Sequence, residues 1–145
     1  MPLGCDSEEG TSAVGVFRMT KLLFIAAGGA VGAVFRYLLS GWCQRVTDTT
    51  FPIGTLVVNV LGCLLIGVLT AAFTGPYFIR DEFRAAVLVG LLGGLTTFST
   101  FGWETMALVN DGLLRRAILN IFVTNAVALF AVWLGYRAGQ RLLGV

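Results

Sequence analysis

Residues 85–109 read AAVLVGLLGGLTTFSTFGWETMALV, with one charge in the whole stretch, Glu104. A helix needs ~20 apolar residues to cross ~30 Å of hydrocarbon, so this segment is long enough to span a bilayer. Its centre is unusual. Gly93 and Gly94 are followed by Thr96, Thr97, Ser99 and Thr100, and glycines with β-branched residues make a poor helix centre. Two readings stay open. In one, Gly90 and Gly94 form a GxxxG contact and the hydroxyls bond their own i−4 carbonyls. In the other, the helix breaks at mid-membrane and frees carbonyls that lipid cannot satisfy, so they must face protein, water or an ion.

Three further apolar runs flank this one. Span one covers residues 22–42 with a single charge, Arg36; span two covers 53–74 with none; span four covers 117–136. Pro52 opens span two, where a missing N–H is harmless. Polar loops separate the runs: Cys43 to Phe51, the charged stretch Gly75 to Arg84, and the turn Asn110-Asp111-Gly112 ahead of Arg115 and Arg116. The pattern predicts an all-α integral membrane protein of four transmembrane helices, since the runs are too long for barrel strands. Residues 1–20 are mixed in character and lack the apolar core of a signal peptide. They read as a disordered tail, with Met19 a candidate natural start, ahead of a membrane domain over 21–145.

Composition supports the same class. The chain has 145 residues, 57% hydrophobic and 12% charged, with a mean hydropathy of +0.86. Soluble domains carry about 25% charged residues, so there is too little polar surface here for a water-soluble particle. A net charge of +2 favours neither nucleic acid nor acidic substrates. Histidine is absent, which removes serine and cysteine triads and HExxH zinc sites. Without GxSxG, an intramembrane protease is excluded as well. Cys5, Cys43 and Cys63 are odd in number and widely spaced, so they form neither a disulfide framework nor a zinc site.

Four spans put both termini on one side of the membrane. That side carries Arg18, Lys21, Arg80, Arg84, Arg137 and Arg141; the other carries Arg45, Arg115 and Arg116. Such a bias is weak for the positive-inside rule, so insertion in both orientations is physically reasonable. No tandem repeat exists within the chain, and any two-fold symmetry has to come from a second copy.

Polar residues inside the spans fall at helical spacing. Thr55 and Asn59 share a stripe on span two, and Asn120 and Thr124 share one on span four, with Asn125 adjacent. Amides and hydroxyls in such places act either as interhelical glue or as a track that replaces water around a solute. Both donate protons, so a track of this kind solvates an anion without a fixed cation. It thereby meets the need for binding weak enough to allow release. Phe98 and Phe101 share a face just after the glycines, and the electropositive ring edges can contact an anion. Arg36 and Glu104 are the deep charges; intramembrane charge marks function by default, although Arg36 is near enough to its helix end to snorkel. Glu104 has an arginine or the Thr100 hydroxyl as candidate partners.

Three motifs then occur in order: Gly28-Gly29-x-x-Gly32-Ala33-x-x-Arg36-Tyr37, Gly54-Thr55-x-x-Val58-Asn59-x-x-Gly62, and Gly93-Gly94-Leu-Thr-Thr-Phe-Ser-Thr-Phe101. Together they resemble the small bacterial fluoride channels of the Fluc or CrcB family, over essentially Lys21 to Arg141. The third motif is the most specific. The resemblance implies an antiparallel, dual-topology homodimer in the bacterial inner membrane, a third helix broken at its centre, and two separate fluoride pores. It implies a structural Na⁺ at the dimer centre, held by main-chain carbonyls that correspond here to Gly93 and Thr96. Phe98, Phe101, Asn59, Thr55, Thr97, Thr124 and Asn120 then belong to the fluoride path, with Thr124 standing where the family pattern has serine. Arg36 corresponds to a pore-entrance arginine, with Glu104 as a structural charge. Fluoride, membrane lipid and a second copy of the chain are the implied partners, and no catalytic residue is expected.

A proton-driven, four-span exporter of organic cations accounts equally well for the size and the charge bias. It calls for a carboxylate in span one, where Arg36 stands. A non-transporting membrane assembly protein is the third alternative, and it has no need of a polar track.

Overall fold

In the computed structural model, residues 7–75 and 79–144 are described, and all regular structure among them is helical. Helix α1 runs Ser7–Thr47 and α2 runs Ile53–Thr74. The third span is composite: α3 (Asp81–Ala85), a π-helical stretch (Ala86–Leu91), α4 (Leu92–Leu95) and α5 (Phe98–Asn110). Helix α6 runs Leu114–Leu143. Four helical segments, Arg18–Thr47, Ile53–Thr74, Asp81–Asn110 and Leu114–Leu143, are long and apolar enough to cross a membrane.

Span two has the bounds its apolar run predicts. The others extend past their runs, because a helix continues through polar residues wherever backbone bonding allows, whereas hydropathy marks only the part suited to lipid. Thus α6 carries Arg137 and Arg141 on its last turns, and α1 goes on to Thr47, whose hydroxyl bonds the Cys43 carbonyl at 2.9 Å. At the other end α1 begins at Ser7, within the stretch read from sequence as a tail. Residues 1–6 of that tail lie outside the described residues.

Small residues decide which helices touch. Gly28 and Gly32 of α1 lie against the backbone at Ala86 and Leu91, while Gly90 and Gly94 lie against the α1 backbone at Ile25 and Gly29. A β-carbon at any of these four would overlap main chain. Both surfaces must be bare for the helices to approach this closely, which is how membrane helices associate without a hydrophobic drive between them. The π-helical stretch sits at this contact. Helices α2 and α6 also pack closely, with Gly67 and Gly135 each set against the other helix's backbone.

Between α1 and α2 the chain turns on a side-chain latch. Gln44 Nε2 donates to the carbonyls of Thr49 (2.5 Å) and Phe51 (3.2 Å), and its Oε1 accepts from the Gly54 amide (3.2 Å). Pro52 occupies the N-cap of α2 and has no side chain to cap it, so Gln44 serves the otherwise unmatched amide of the first turn.

Few large apolar side chains are interior. Val58, Leu92, Leu95, Phe101 and Leu108 are buried, whereas Phe35, Trp42, Phe98, Trp103, Phe122 and Leu129 are each more than half exposed. An apolar surface of this extent is covered by lipid or by another chain.

The α1 contact carries a prediction. Gly32→Ala places a methyl group against the Leu91 carbonyl and should destabilise the protein by about 1–3 kcal/mol or more. Gly41→Ala, at a position with open space around it, should be neutral. Thermal unfolding in detergent, followed by size-exclusion chromatography, compares the two; equal melting would contradict the close contact.

Candidate functional site

The site is built around two residues. Thr96 (φ −84°, ψ 154°) and Thr97 (φ −150°, ψ 118°) are extended between α4 and α5. Asn59 of α2 grips the second of them through both amide atoms. Its Oδ1 accepts from the Thr97 amide at 2.8 Å, and its Nδ2 donates to the Thr97 carbonyl at 3.1 Å. Thr97 in turn caps α5, its Oγ1 accepting from the Thr100 amide at 3.2 Å, the usual task of a threonine at an N-cap.

These bonds have a consequence for two carbonyls. In an uninterrupted helix the Gly93 carbonyl would accept from the Thr97 amide, and the Thr96 carbonyl from the Thr100 amide. Asn59 takes the first donor and the Thr97 side chain takes the second. No other backbone amide among the described residues reaches either oxygen. These two main-chain oxygens are therefore left with their lone pairs uncommitted by the backbone, in a region where such groups need a partner.

Beside them lies a groove of about 300 Å³, lined by Asn59, Gly93, Thr96, Thr97, Phe98, Phe101 and Thr124 among others. Seven of the residues picked out from sequence thus converge on one place, contributed by α2, the third span and α6. The two phenylalanines differ in setting. Phe101 is buried in the wall at 7% exposure and Phe98 projects outward at 78%, with ring centroids 5.3 Å apart and planes tilted by 48°. Cys63 also lines the groove, an apolar lining residue that spacing alone did not single out.

Thr55 and Glu104 belong elsewhere. They line a second groove, of about 430 Å³, with Ser40, Gln44 and Thr100. Thr55 Oγ1 donates to Glu104 Oε1 at 2.8 Å, while Glu104 Oε2 is buried with no hydrogen-bond partner. The partners expected for Glu104 are therefore corrected. Thr100 bonds Thr97 at 3.0 Å instead, since its hydroxyl sits over the cap, and Arg36 makes no ion pair among the described residues. Arg36 is half-buried on α1, a helix that contacts the N-terminal part of the third span rather than the turn carrying Glu104.

Behind the first groove is a short hydrogen-bonded chain. Thr124 Oγ1 donates to Asn120 Oδ1 (3.0 Å), Asn120 Nδ2 donates to Thr105 Oγ1 (2.9 Å), and Thr105 Oγ1 donates to the Phe101 carbonyl (2.7 Å). Asn120 is 1% exposed and does not line either groove. Thr105 was not foreseen; its only signal was a hydroxyl four residues after Phe101. Among the described residues, no three His, Cys, Asp or Glu gather as they would for a metal.

The sequence compares closely with known proteins. A family model described as "CrcB-like protein, Camphor Resistance (CrcB)" matches residues 23–136. The "Fluoride-specific ion channel FluC" of Shewanella oneidensis is 49% identical over 119 residues, covering 82% of this chain and 95% of that protein. The protein of the same description from Citrifermentans bemidjiense is 43% identical over 124 residues, 86% of this chain and all of that one. A third, from a Sulfurovum species, is 44% identical over 123 residues, 85% of this chain and 96% of its own length.

The Asn59 grip predicts a stability effect separable from transport. Asn59→Leu leaves the Thr97 amide and carbonyl without their side-chain partner, at about 1–3 kcal/mol for each buried group left unpaired. Its melting temperature in detergent should drop well below that of a Cys63→Ala control; equal values would mean that the two hydrogen bonds do not hold the extended pair.

Proposed function

The chain belongs to the CrcB family, and from that premise we propose that it is a fluoride channel through which the ion moves passively, out of the cytoplasm and down its own gradient. It is a multi-pass membrane protein with four spans. The observation that carries the reading is the likeness to fluoride-specific channels over more than four-fifths of the chain. The groove at Thr96–Thr97 supplies its physical counterpart. Aromatic rings, threonine side chains and amide side chains line one space, with no fixed cation among the residues that line it. Such a lining replaces part of an anion's hydration without trapping the ion. The exporter of organic cations is set aside with the family assignment.

Each part of the path then has a task. Phe98 and Phe101 turn positive ring edges toward the ion. Thr124 offers a hydroxyl from α6, and Thr97 fixes the α5 end that carries both rings. Thr55 and Glu104 stand in the second groove, one turn of α2 away from Asn59, and Arg36 is the candidate charge near an entrance. Asn120 acts from behind Thr124.

The extended pair is read as a mid-span break, and the working unit as two antiparallel copies in the bacterial inner membrane. The weak Lys/Arg bias supports this, as does the apolar surface one chain leaves uncovered. Gly93 and Thr96 fit a sodium site, since their carbonyls lack backbone donors and are uncharged hard oxygens of the kind that hold hard cations. A bound sodium would supply fixed positive charge that makes the interior more hospitable to an anion. Here the chain's own part is to present those oxygens, which Asn59 and Thr97 do by occupying the competing amides.

Efflux from liposomes that contain only this protein tests the function. Fluoride should leave freely once an ionophore shunts the electrical potential, and chloride should stay. Phe101→Ile, which roughly keeps volume and apolarity, should cut the flux severalfold with the protein still folded. Fluoride release that requires a proton gradient, or wild-type flux in the Phe101 variant, would count against this path. A C-terminal reporter should appear on both faces of the inner membrane, and full activity from a population held in one orientation would refute the antiparallel pair.

A further inference from the structure

The chain Thr124–Asn120–Thr105–Phe101 has a direction. Its hydrogen bonds all run one way along the chain: Thr124 gives its proton to Asn120, which is outside the groove lining, Asn120 to Thr105, and Thr105 to the Phe101 carbonyl. Thr124 lines the groove, yet with its proton committed inward the hydroxyl has only lone pairs left for an approaching ion. Lone pairs repel an anion. For Thr124 to solvate one, its proton has to turn outward.

Asn120 is 1% exposed, so its amide cannot give up partners to water and must exchange them within the chain. One rearrangement does so completely. If the amide turns over, Nδ2 donates to Thr124 Oγ1 and frees the Thr124 proton for the groove, while Oδ1 comes to face Thr105. Oδ1 then needs a donor, and the Thr105 hydroxyl supplies one by leaving the Phe101 carbonyl. A hydroxyl both donates and accepts, so Thr105 serves either direction of the amide. Its bond to the Phe101 carbonyl is the ordinary i−4 contact of a threonine in a helix and is readily exchanged.

We propose that Thr105 is a positioning residue for anion passage: its hydroxyl lets the buried Asn120 amide reverse, so that Thr124 presents a proton donor to the groove when an ion is there. The proposal rests on the reading of this groove as the fluoride path. Thr105 itself touches no ion. It acts through Asn120 and Thr124, two residues away along a line of hydrogen bonds.

A double-mutant cycle on fluoride flux from liposomes tests it. Thr105→Val keeps the shape and removes the hydroxyl; flux should fall roughly tenfold, the scale of one unpaired buried polar group. Thr105→Ser should restore flux to near the wild-type value. Thr124→Val should itself be slow, and adding Thr105→Val to it should slow it no further, because the donor that Thr105 orients is already gone. A residue with a merely structural role would multiply its loss onto that of Thr124→Val. Multiplied losses, an unchanged Thr105→Val, or a Thr124→Val with normal flux would each overturn the proposal. If Thr105→Val does not yield folded protein, Thr105→Ala enters the same cycle with the same criteria. Should wild-type protein pass no fluoride at all, the path reading fails first, and that result is visible before any variant is compared.

Discussion

Two hydrogen bonds between the Asn59 side chain and the Thr97 peptide hold the centre of this molecule in its form. An extended pair of residues inside an apolar span leaves backbone groups without helical partners, and lipid supplies none. A single hydroxyl would not replace Asn59 here: it both donates and accepts, but its one oxygen would have to reach the Thr97 amide and the Thr97 carbonyl together, which the two ends of the Asn59 amide do separately. With the peptide held, Thr97 caps α5, and the direction in which α5 leaves the pair fixes the two phenylalanines. The Gly93 carbonyl is released by the Asn59 bond to the Thr97 amide, and the Thr96 carbonyl by the Thr97 cap on the Thr100 amide. One amide side chain thus connects ring placement, groove shape and the candidate cation ligands.

That grip needs a rigid frame, which the glycines provide. Gly28 and Gly32 admit the third span to backbone distance from α1, and Gly67 with Gly135 does the same for α2 and α6. Dispersion between bare helix surfaces replaces the hydrophobic drive that is missing in lipid. The result resembles a soluble core only locally. Outside the helix contacts, large apolar side chains remain uncovered, and Phe98 is the most telling of them. It lines the groove, yet it stands 78% exposed in a single chain.

Four spans were legible from composition and run length, because hydrophobic thickness imposes nearly the same count on any helical membrane chain. Span two was placed to the residue. The Gly90–Phe101 stretch was left open between close packing and a break; in the structure its glycines lie against α1, and two threonines with extended dihedrals follow them. Residues with distinctive chemistry, such as Asn59 and Phe101, could be found by spacing. Partners were not legible. Thr55 with Glu104, Gln44 with Gly54 and Thr105 with Asn120 join positions 49, 10 and 15 residues apart. Helical periodicity says which face a residue occupies on its own helix, but helix rotation and depth decide what it meets. For that reason Glu104, left open between an arginine and the Thr100 hydroxyl, is met instead by Thr55 from α2.

The central claim is that this lining passes fluoride alone and uncoupled. A planar bilayer holding the purified protein, with unequal fluoride across it and an opposing proton gradient, measures that directly. The account predicts a current that reverses at the fluoride equilibrium potential and stays there when the proton gradient is inverted or when chloride is exchanged. A reversal potential that follows the proton gradient, or one that shifts with chloride, would contradict it.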